Sequence, residues 1–267
     1  MPEIASYWQK NGHELNLAEE LSWNFPEQKR GAISIVGGNA NAFSTEVKIT
    51  DYISKHFPMV KSIKNHFPDA LKNKLPPFEG ISFYPSTENG SFSVSSELTH
   101  CTENSDITII SGDLSKNSIT AIAITKLLQS SETAPFILTR DAVDLTRAEA
   151  FSFAERNGIF FVASLAQIQK LFRALFYPRP LLLSQPIFPI IETLHKFTLS
   201  YPVSILTFHE GKIICADSGN IITIDLEKTS FTPLSLWSGD LAARLAVFAM
   251  YNPKNHLESM VAAVNYK

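Results

Sequence analysis

The sequence predicts an α/β domain, a mostly parallel sheet flanked by helices with antiparallel strands at one edge. Three observations carry that expectation. From Asp106 to Phe176 short apolar runs alternate with longer helical segments, the pattern of strands joined by crossover helices. After Tyr177-Pro178-Arg179-Pro180 the runs become short and turn-separated, which reads as an antiparallel meander. The 267 residues, 45% hydrophobic and 18% charged, suffice for a substantial core without metals or disulfides.

Taken in order, residues 1–30 read as a helical arm centred on Ala18 to Leu21, with Trp8 and Trp23 placed to dock it. Residues 31–267 read as a single domain. Ala32 to Val36 is a strand that stops at Gly37-Gly38-Asn39, and Ser44 to His56 follows as a helix. His56-Phe57-Pro58 and His66-Phe67-Pro68 read as two helix-ending turns, their spacing being too short for a solenoid repeat. Residues 76–106, rich in Pro, Ser, Thr, Asn and Gly, predict irregular surface or a small edge strand.

Strands are then expected at Ile107 to Ile110, Pro135 to Leu138 and Ile159 to Val162. Helices are expected at Ser118 to Leu128, Leu145 to Asn157 and Leu165 to Phe176. A helix from Ile187 to Leu199 leads into strands Val203 to Thr207, Lys212 to Cys215 and Ile221 to Ile224. The turns His209-Glu210-Gly211 and Asp217-Ser218-Gly219 separate these strands. Helices opening at Asp240 and spanning His256 to Val264 close the sequence.

A net charge of −3 supplies no basic footprint, so neither nucleic acid nor an anionic membrane surface is an expected partner. No apolar run reaches membrane-spanning length and no signal peptide is visible, so the expected compartment is the cytoplasm. Cys101 and Cys215 lie far apart in no ligand-like spacing; reduced thiols are expected, and neither a disulfide nor a metal site. Gly-x-Ser-x-Gly, His-Glu-x-x-His and Gly-Lys-Ser/Thr are absent, which argues against serine hydrolases, zincins and common phosphate-loop enzymes. Small-molecule ligands are the expected partners, with self-association left open.

Ser238-Gly239-Asp240 carries the most chemistry. A glycine ahead of a helix lets backbone N–H groups face a phosphate or oxyanion at the positive end of the helix dipole. The aspartate there serves either as a general base beside that anion or as a helix cap. Gly37 and Gly38 are candidates for close approach to a ligand, with Asn39 or Asn41 as hydrogen-bonding neighbours, or else form a plain turn. Asp141 falls at the carboxyl end of a central parallel strand, where open α/β sheets bind ligands; it also suits a cap of the next helix. Trp237 reads as a base-stacking surface or an apolar wall. His209, His56 and His66 read as packed or solvated, and Lys72 and Lys74 as a solvated face. Adjacent Glu19 and Glu20 diverge on a helix and form no acid/base pair.

Four segments together resemble the ribokinase-like superfamily, a three-layer α/β/α fold, and within it the ADP- or ATP-dependent NAD(P)H-hydrate dehydratases. Ile33 to Asn39 resembles the first strand and its Gly-Gly-Ser turn. Ser105 to Ser115 resembles Ala-Asp-Ala-apolar-apolar-apolar-Gly-Pro-Gly-Leu-Gly. Leu138-Thr139-Arg140-Asp141-Ala142-Val143-Asp144-Leu145 resembles Leu-Asp-Ala-Asp-Ala-Leu-Asn-Leu. Trp237-Ser238-Gly239-Asp240 resembles the Gly-Ser/Thr-Gly-Asp anion hole.

The chain departs from the family at Thr139, Trp237 and Leu206-Thr207-Phe208, the last standing for Leu-Lys-Gly. It departs again at Val162-Ala163-Ser164-Leu165-Ala166-Gln167, standing for Thr-Pro-His-x-x-Glu, and keeps only Gly112 of the glycine loop. The resemblance implies ADP or ATP with magnesium at Ser238 and Gly239, and Asp240 as catalytic base. It implies hydrated NAD(P)H as substrate, near Gly37, Gly38, Asn39 and Asp141. The departures imply a partly eroded site. A catalytically inactive scaffold and a sugar or vitamin kinase are the alternatives.

Overall fold

The computed structural model describes residues 6–75, 79–131, 133–232 and 234–266. Runs of β-branched and aromatic residues make the central strands: β2 (Arg30–Val36), β5 (Ile107–Ile110), β6 (Phe136–Thr139), β7 (Ile159–Val162) and β8 (Val203–His209). β3 (Val60–Pro68) and β4 (Ile81–Tyr84) extend the sheet on one side. β9 (Lys212–Asp217), β10 (Asn220–Asp225) and the short β1 (Trp8–Gln9) extend it on the other. The order is β1-β10-β9-β8-β7-β6-β5-β2-β3-β4. Pairing is parallel from β8 through to β4 and antiparallel at β8–β9 and β9–β10.

Strand alternation sorts the sheet's two faces. Ile35, Ile109, Ile137 and Phe160 stand in register and point to one face. That face is covered by α2 (Ser44–His56), α9 (Asp240–Tyr251) and α10 (His256–Asn265), through Ile49, Leu245 and Val261. Val36, Ile110, Leu138, Phe161 and Ile205 form the opposite row. It is covered by α4 (Ser118–Gln129), α6 (Leu165–Ala174) and α7 (Ile187–Ser200), through Ile124, Ile168 and Ile191. The result is the expected three-layer α/β/α arrangement with antiparallel edge strands. Among the described residues no helix is long and apolar enough to cross a membrane, and Cys101 and Cys215 are both free.

The winding reverses between β2 and β5. From β2 the chain steps outward through α2 to β3; β5, β6 and β7 then step away in the opposite direction. The helices of these two runs lie on opposite faces, as right-handed crossovers require. Such a reversal leaves a crevice at the carboxyl ends of the two strands it separates.

Three local expectations are corrected. The arm is helical only over α1 (Leu17–Ser22). Ahead of it, β1 pairs parallel with β10, and the Trp8 indole N–H donates to Thr223 Oγ1 at 3.1 Å. Trp23 does not dock, being 78% exposed. His66-Phe67-Pro68 ends a strand and not a helix: Pro68 is the last residue of β3, where a missing N–H costs the ladder nothing inside it. The helix expected from Leu145 starts instead at Asp141 as α5 (Asp141–Thr146) and tightens into a 3-10 turn over Arg147–Ser152. The irregular region resolves into β4, a bridge between Ser86 and Phe92, and α3 (Ser96–Thr99); its residues 76–78 lie outside the described residues.

Candidate functional site

The crevice at the reversal is floored by the ends of β2 and β5. The Gly37 N–H donates to the His66 carbonyl and the Gly38 N–H to the Gly112 carbonyl, both at 3.3 Å. Glu46, in the first turn of α2, lies fully buried over Gly37 and accepts a hydrogen bond from the Ser111 hydroxyl on Oε1. A β-carbon on Gly37 would collide with both side chains, so the glycine is required for their approach. Oε2 of Glu46 has no hydrogen-bond partner among the described residues. Burial pushes the Glu46 carboxyl up to about 8; the Ser111 bond pulls against that rise, nearby Asp113 adds to it, and Arg140 opposes it. At neutral pH Glu46 is therefore a carboxylic acid.

Arg140 crosses the crevice just beyond β6. Its Nη1 donates to Thr45 Oγ1 and to the Trp237 carbonyl, each at 2.7 Å, and its Nη2 donates to Asp113 Oδ1 at 2.6 Å. The Asp113 and Arg140 side chains are 10% and 19% exposed, so the pair is mostly shielded from screening. Gly112 provides the space: a β-carbon there would strike the Arg140 side chain. Both members of the pair hold positive φ, 59° at Asp113 and 54° at Arg140, a left-handed backbone unusual outside glycine. In the resembled patterns these two positions are Gly and Ala, so the pair fills room those small residues leave open.

Thr45, Arg140 and the Trp237 carbonyl tie the front of α2 to α8 (Ser235–Ser238) and the mouth of α9. Gly239 is the N-cap of α9 at φ 90°, and its α-carbon sits against Ile49 and Thr45 of α2. The Ser238 hydroxyl donates to the Ser235 carbonyl at 3.1 Å and accepts from the Asp240 N–H at 3.4 Å. Asp240 is the first helical residue and half-buried, and its carboxylate makes no hydrogen bond or ion pair among the described residues. The Asp240 side chain takes no part in capping, the Asp240 N–H going to the Ser238 hydroxyl, and its carboxylate is left available at the positive end of a 12-residue helix. Trp237 is 39% exposed and reaches the crevice through its carbonyl.

The two groups of sequence-derived candidates meet through residues the sequence did not single out. Asn39 donates through Nδ2 to the Asp113 carbonyl and accepts from the Asn41 N–H, which fastens the Gly37-Gly38-Asn39 turn to the β5 loop. Arg140 then joins that loop to the α9 mouth. Asp141 opens α5, with its carboxylate 3.9 Å from Lys116 Nζ. Gln167, standing where the resembled pattern has Glu, forms a capping box with Ser164 and donates to the Arg140 carbonyl and Asp144. His209 contacts the Gln185 carbonyl, His56 stacks on Tyr52, and buried His66 lies between Ser34 and Tyr84. Thr45, Glu46, Asp113 and Arg140 were missed. The one available signal was charge at positions where the resembled loops are small and neutral.

Except for Asp240, the carboxylates around the crevice are already paired with cations. Asp113 is paired with Arg140, Asp141 with Lys116, and Asp144 with Lys170 and Arg147. Among the described residues no group of three or more His, Cys, Asp or Glu is placed to hold a metal ion. A guanidinium fixed across the crevice repels a dication there.

No family model matches the chain, and no curated protein matches its sequence. Solved structures do match its fold. A ribokinase-like superfamily protein from Enterococcus faecalis superposes with TM-score 0.67 at 13% identity, over 97% of this chain and 86% of that one. The ADP/ATP-dependent NAD(P)H-hydrate dehydratase of Bacillus subtilis, co-crystallized with ATP and magnesium, gives 0.56 at 11%, over 92% and 84%. An ADP complex of Bacillus subtilis pyridoxal kinase gives 0.52 at 12%, over 88% and 89%.

Proposed function

We propose, taking as premise that this chain has the ribokinase-like fold, that it binds a nucleotide's phosphates at the mouth between α9 and the ends of β2, β5 and β6. Asp240 then acts as base toward a substrate hydroxyl, in repair chemistry of the NAD(P)H-hydrate dehydratase type. The observation that carries the reading is the unpaired, half-buried Asp240 carboxylate directly after Gly239 at the front of α9. Phosphoryl transfer asks a protein for positioning and charge stabilisation more than for covalent chemistry. Asp240 takes the proton of the hydrate's hydroxyl, and that oxygen forms a bond to the terminal phosphorus as the P–O bond to the rest of the nucleotide breaks. The ester's C–O bond then breaks, phosphate leaves, and loss of a ring proton restores the double bond. The α9 amides face the transferring phosphoryl group.

One arrangement favours a second reading, ligand binding without turnover. Arg140 spans the crevice on three protein acceptors, and Gln167 stands where the resembled pattern has Glu. Calorimetry with ADP and ATP, combined with NADH recovery from NADH hydrate, separates the two. The repair reading expects nucleotide binding in the parent and in Asp240→Asn, with at least a hundredfold loss of NADH recovery in the variant. Binding without recovery in the parent leaves the second reading; no binding at millimolar nucleotide refutes both.

A further inference from the structure

We propose that Arg140 is the group that receives an anionic ligand, and that Asp113 is a built-in competitor the ligand displaces, so that phosphate-type anions bind the crevice without a metal. The proposal deepens the reading above, since it concerns what holds the phosphates at that same mouth.

The argument starts from donor accounting on one side chain. A guanidinium carries five N–H donors and no acceptor. Nη1 uses both of its donors, on Thr45 and the Trp237 carbonyl, and Nη2 uses one, on Asp113. Nε is buried and has no acceptor among the described residues. An arginine held from behind by two neutral oxygens, with one carboxylate oxygen in front and donors left over, is fixed in position but incompletely satisfied. A tetrahedral oxyanion supplies several acceptors at once and suits the planar fork better than a single carboxylate oxygen.

A second observation points the same way. Glu46, fully buried behind the same crevice, meets the Ser111 hydroxyl at Oε1, while its Oε2 has no hydrogen-bond partner among the described residues. Two buried polar atoms, Arg140 Nε and Glu46 Oε2, therefore lack hydrogen-bond partners among the described residues where β2, β5 and β6 end. Their neighbourhood also includes the N-terminus of α9, whose amides favour negative charge. Among the described residues the only carboxylate paired to Arg140 is Asp113, and an incoming anion shares its sign. Anion and Asp113 therefore compete for one cation, and displacement asks only the Asp113 side chain to turn off Nη2, its carbonyl staying on Asn39 Nδ2.

Competition has a signature that plain binding lacks: removing the competitor strengthens the ligand. Titration of the whole protein with inorganic pyrophosphate in EDTA, followed by calorimetry, is the experiment. Asp113→Asn is expected to bind at least tenfold more tightly than the parent. Arg140→Lys is expected to bind at least tenfold more weakly, since an ammonium cannot offer the fork. Arg140→Ala is expected to abolish binding, with a melting curve to show that it folds; should it fail to fold, the other two variants decide. Equal affinity in the parent and Asp113→Asn overturns the proposal, as does pyrophosphate binding that appears only with magnesium. Metal-free binding that tightens in Asp113→Asn, without nucleotide turnover, sustains this proposal while refuting the repair reading. Nucleotide turnover that requires magnesium and ignores Asp113→Asn does the reverse.

Discussion

Glu46 and His66 are both buried titratable groups, and they bias stability in opposite directions. The folded state holds the Glu46 proton up to about pH 8, whereas an unfolded glutamate releases it near 4.5. Across that window the native protein binds more protons than the unfolded chain, so stability falls as pH rises from 4.5 to about 8. Burial, with Lys64 adding to it, lowers His66 from 6.5 to about 4, so its contribution is complete above 6.5 and is lost as pH falls toward 4. The two slopes offset one another between about pH 4.5 and 6.5, and the Glu46 decline stands alone from there to pH 8. Thermal melts followed by circular dichroism should show that profile. Glu46→Gln keeps an acceptor for Ser111 but cannot ionise. It is expected to flatten the upper decline and to raise the melting temperature at pH 8 by about 4 °C or more. None of this was legible in the sequence. An acidic residue in a first helical turn is ordinary dipole chemistry, and the room over Gly37 and the Ser111 bond that hold Glu46 inward come from other strands.

Among the elements, β5 to β8 were readable because each is flanked by strands on both sides, which makes it a short continuous apolar run. β3 was not. Its residues 60–64 pair with β2 on one side only, so Lys61 and Lys64 interrupt the apolar pattern, and His-Phe-Pro resembles a helix stop. α5 was misplaced because its start is set by Arg140 at positive φ, a tertiary choice and not a propensity. β1 was hidden for a similar reason: two residues carry no periodicity, and the strand exists because β10 offers an edge. Trp8→Ala removes the indole bond to Thr223 and the contact with Phe188, and should cost about 1–3 kcal/mol. A lower urea midpoint measures that cost. Size-exclusion chromatography should show more self-association as the β10 edge opens.

Over the whole molecule, layers, strand order and the position of the crevice follow from where apolar runs and crossovers fall, and the sequence displayed those. What it concealed is how four distant segments close on each other at Thr45, Asp113, Arg140 and Trp237. No local pattern signals that arginine's partners, because they come from three other, separate turns of the chain. Hydrogen exchange offers a global test. In Arg140→Ala, amides at 111–115 and 235–240 should exchange at least tenfold faster, while the rows through Ile109 and Ile137 keep their protection. Uniformly faster exchange would mean instead that the arginine supports the entire fold.

The parallel seam between β1 and β10 has a consequence for how the protein is made. Trp8 and Thr223 are 215 residues apart, so Trp8 leaves the ribosome long before its partner exists. The sheet's β2 to β8 can assemble during synthesis while the leading segment stays unclaimed. A segment made well before its partner is then among the last to be seated, and closing that long loop completes the nascent chain's burial of its own edge.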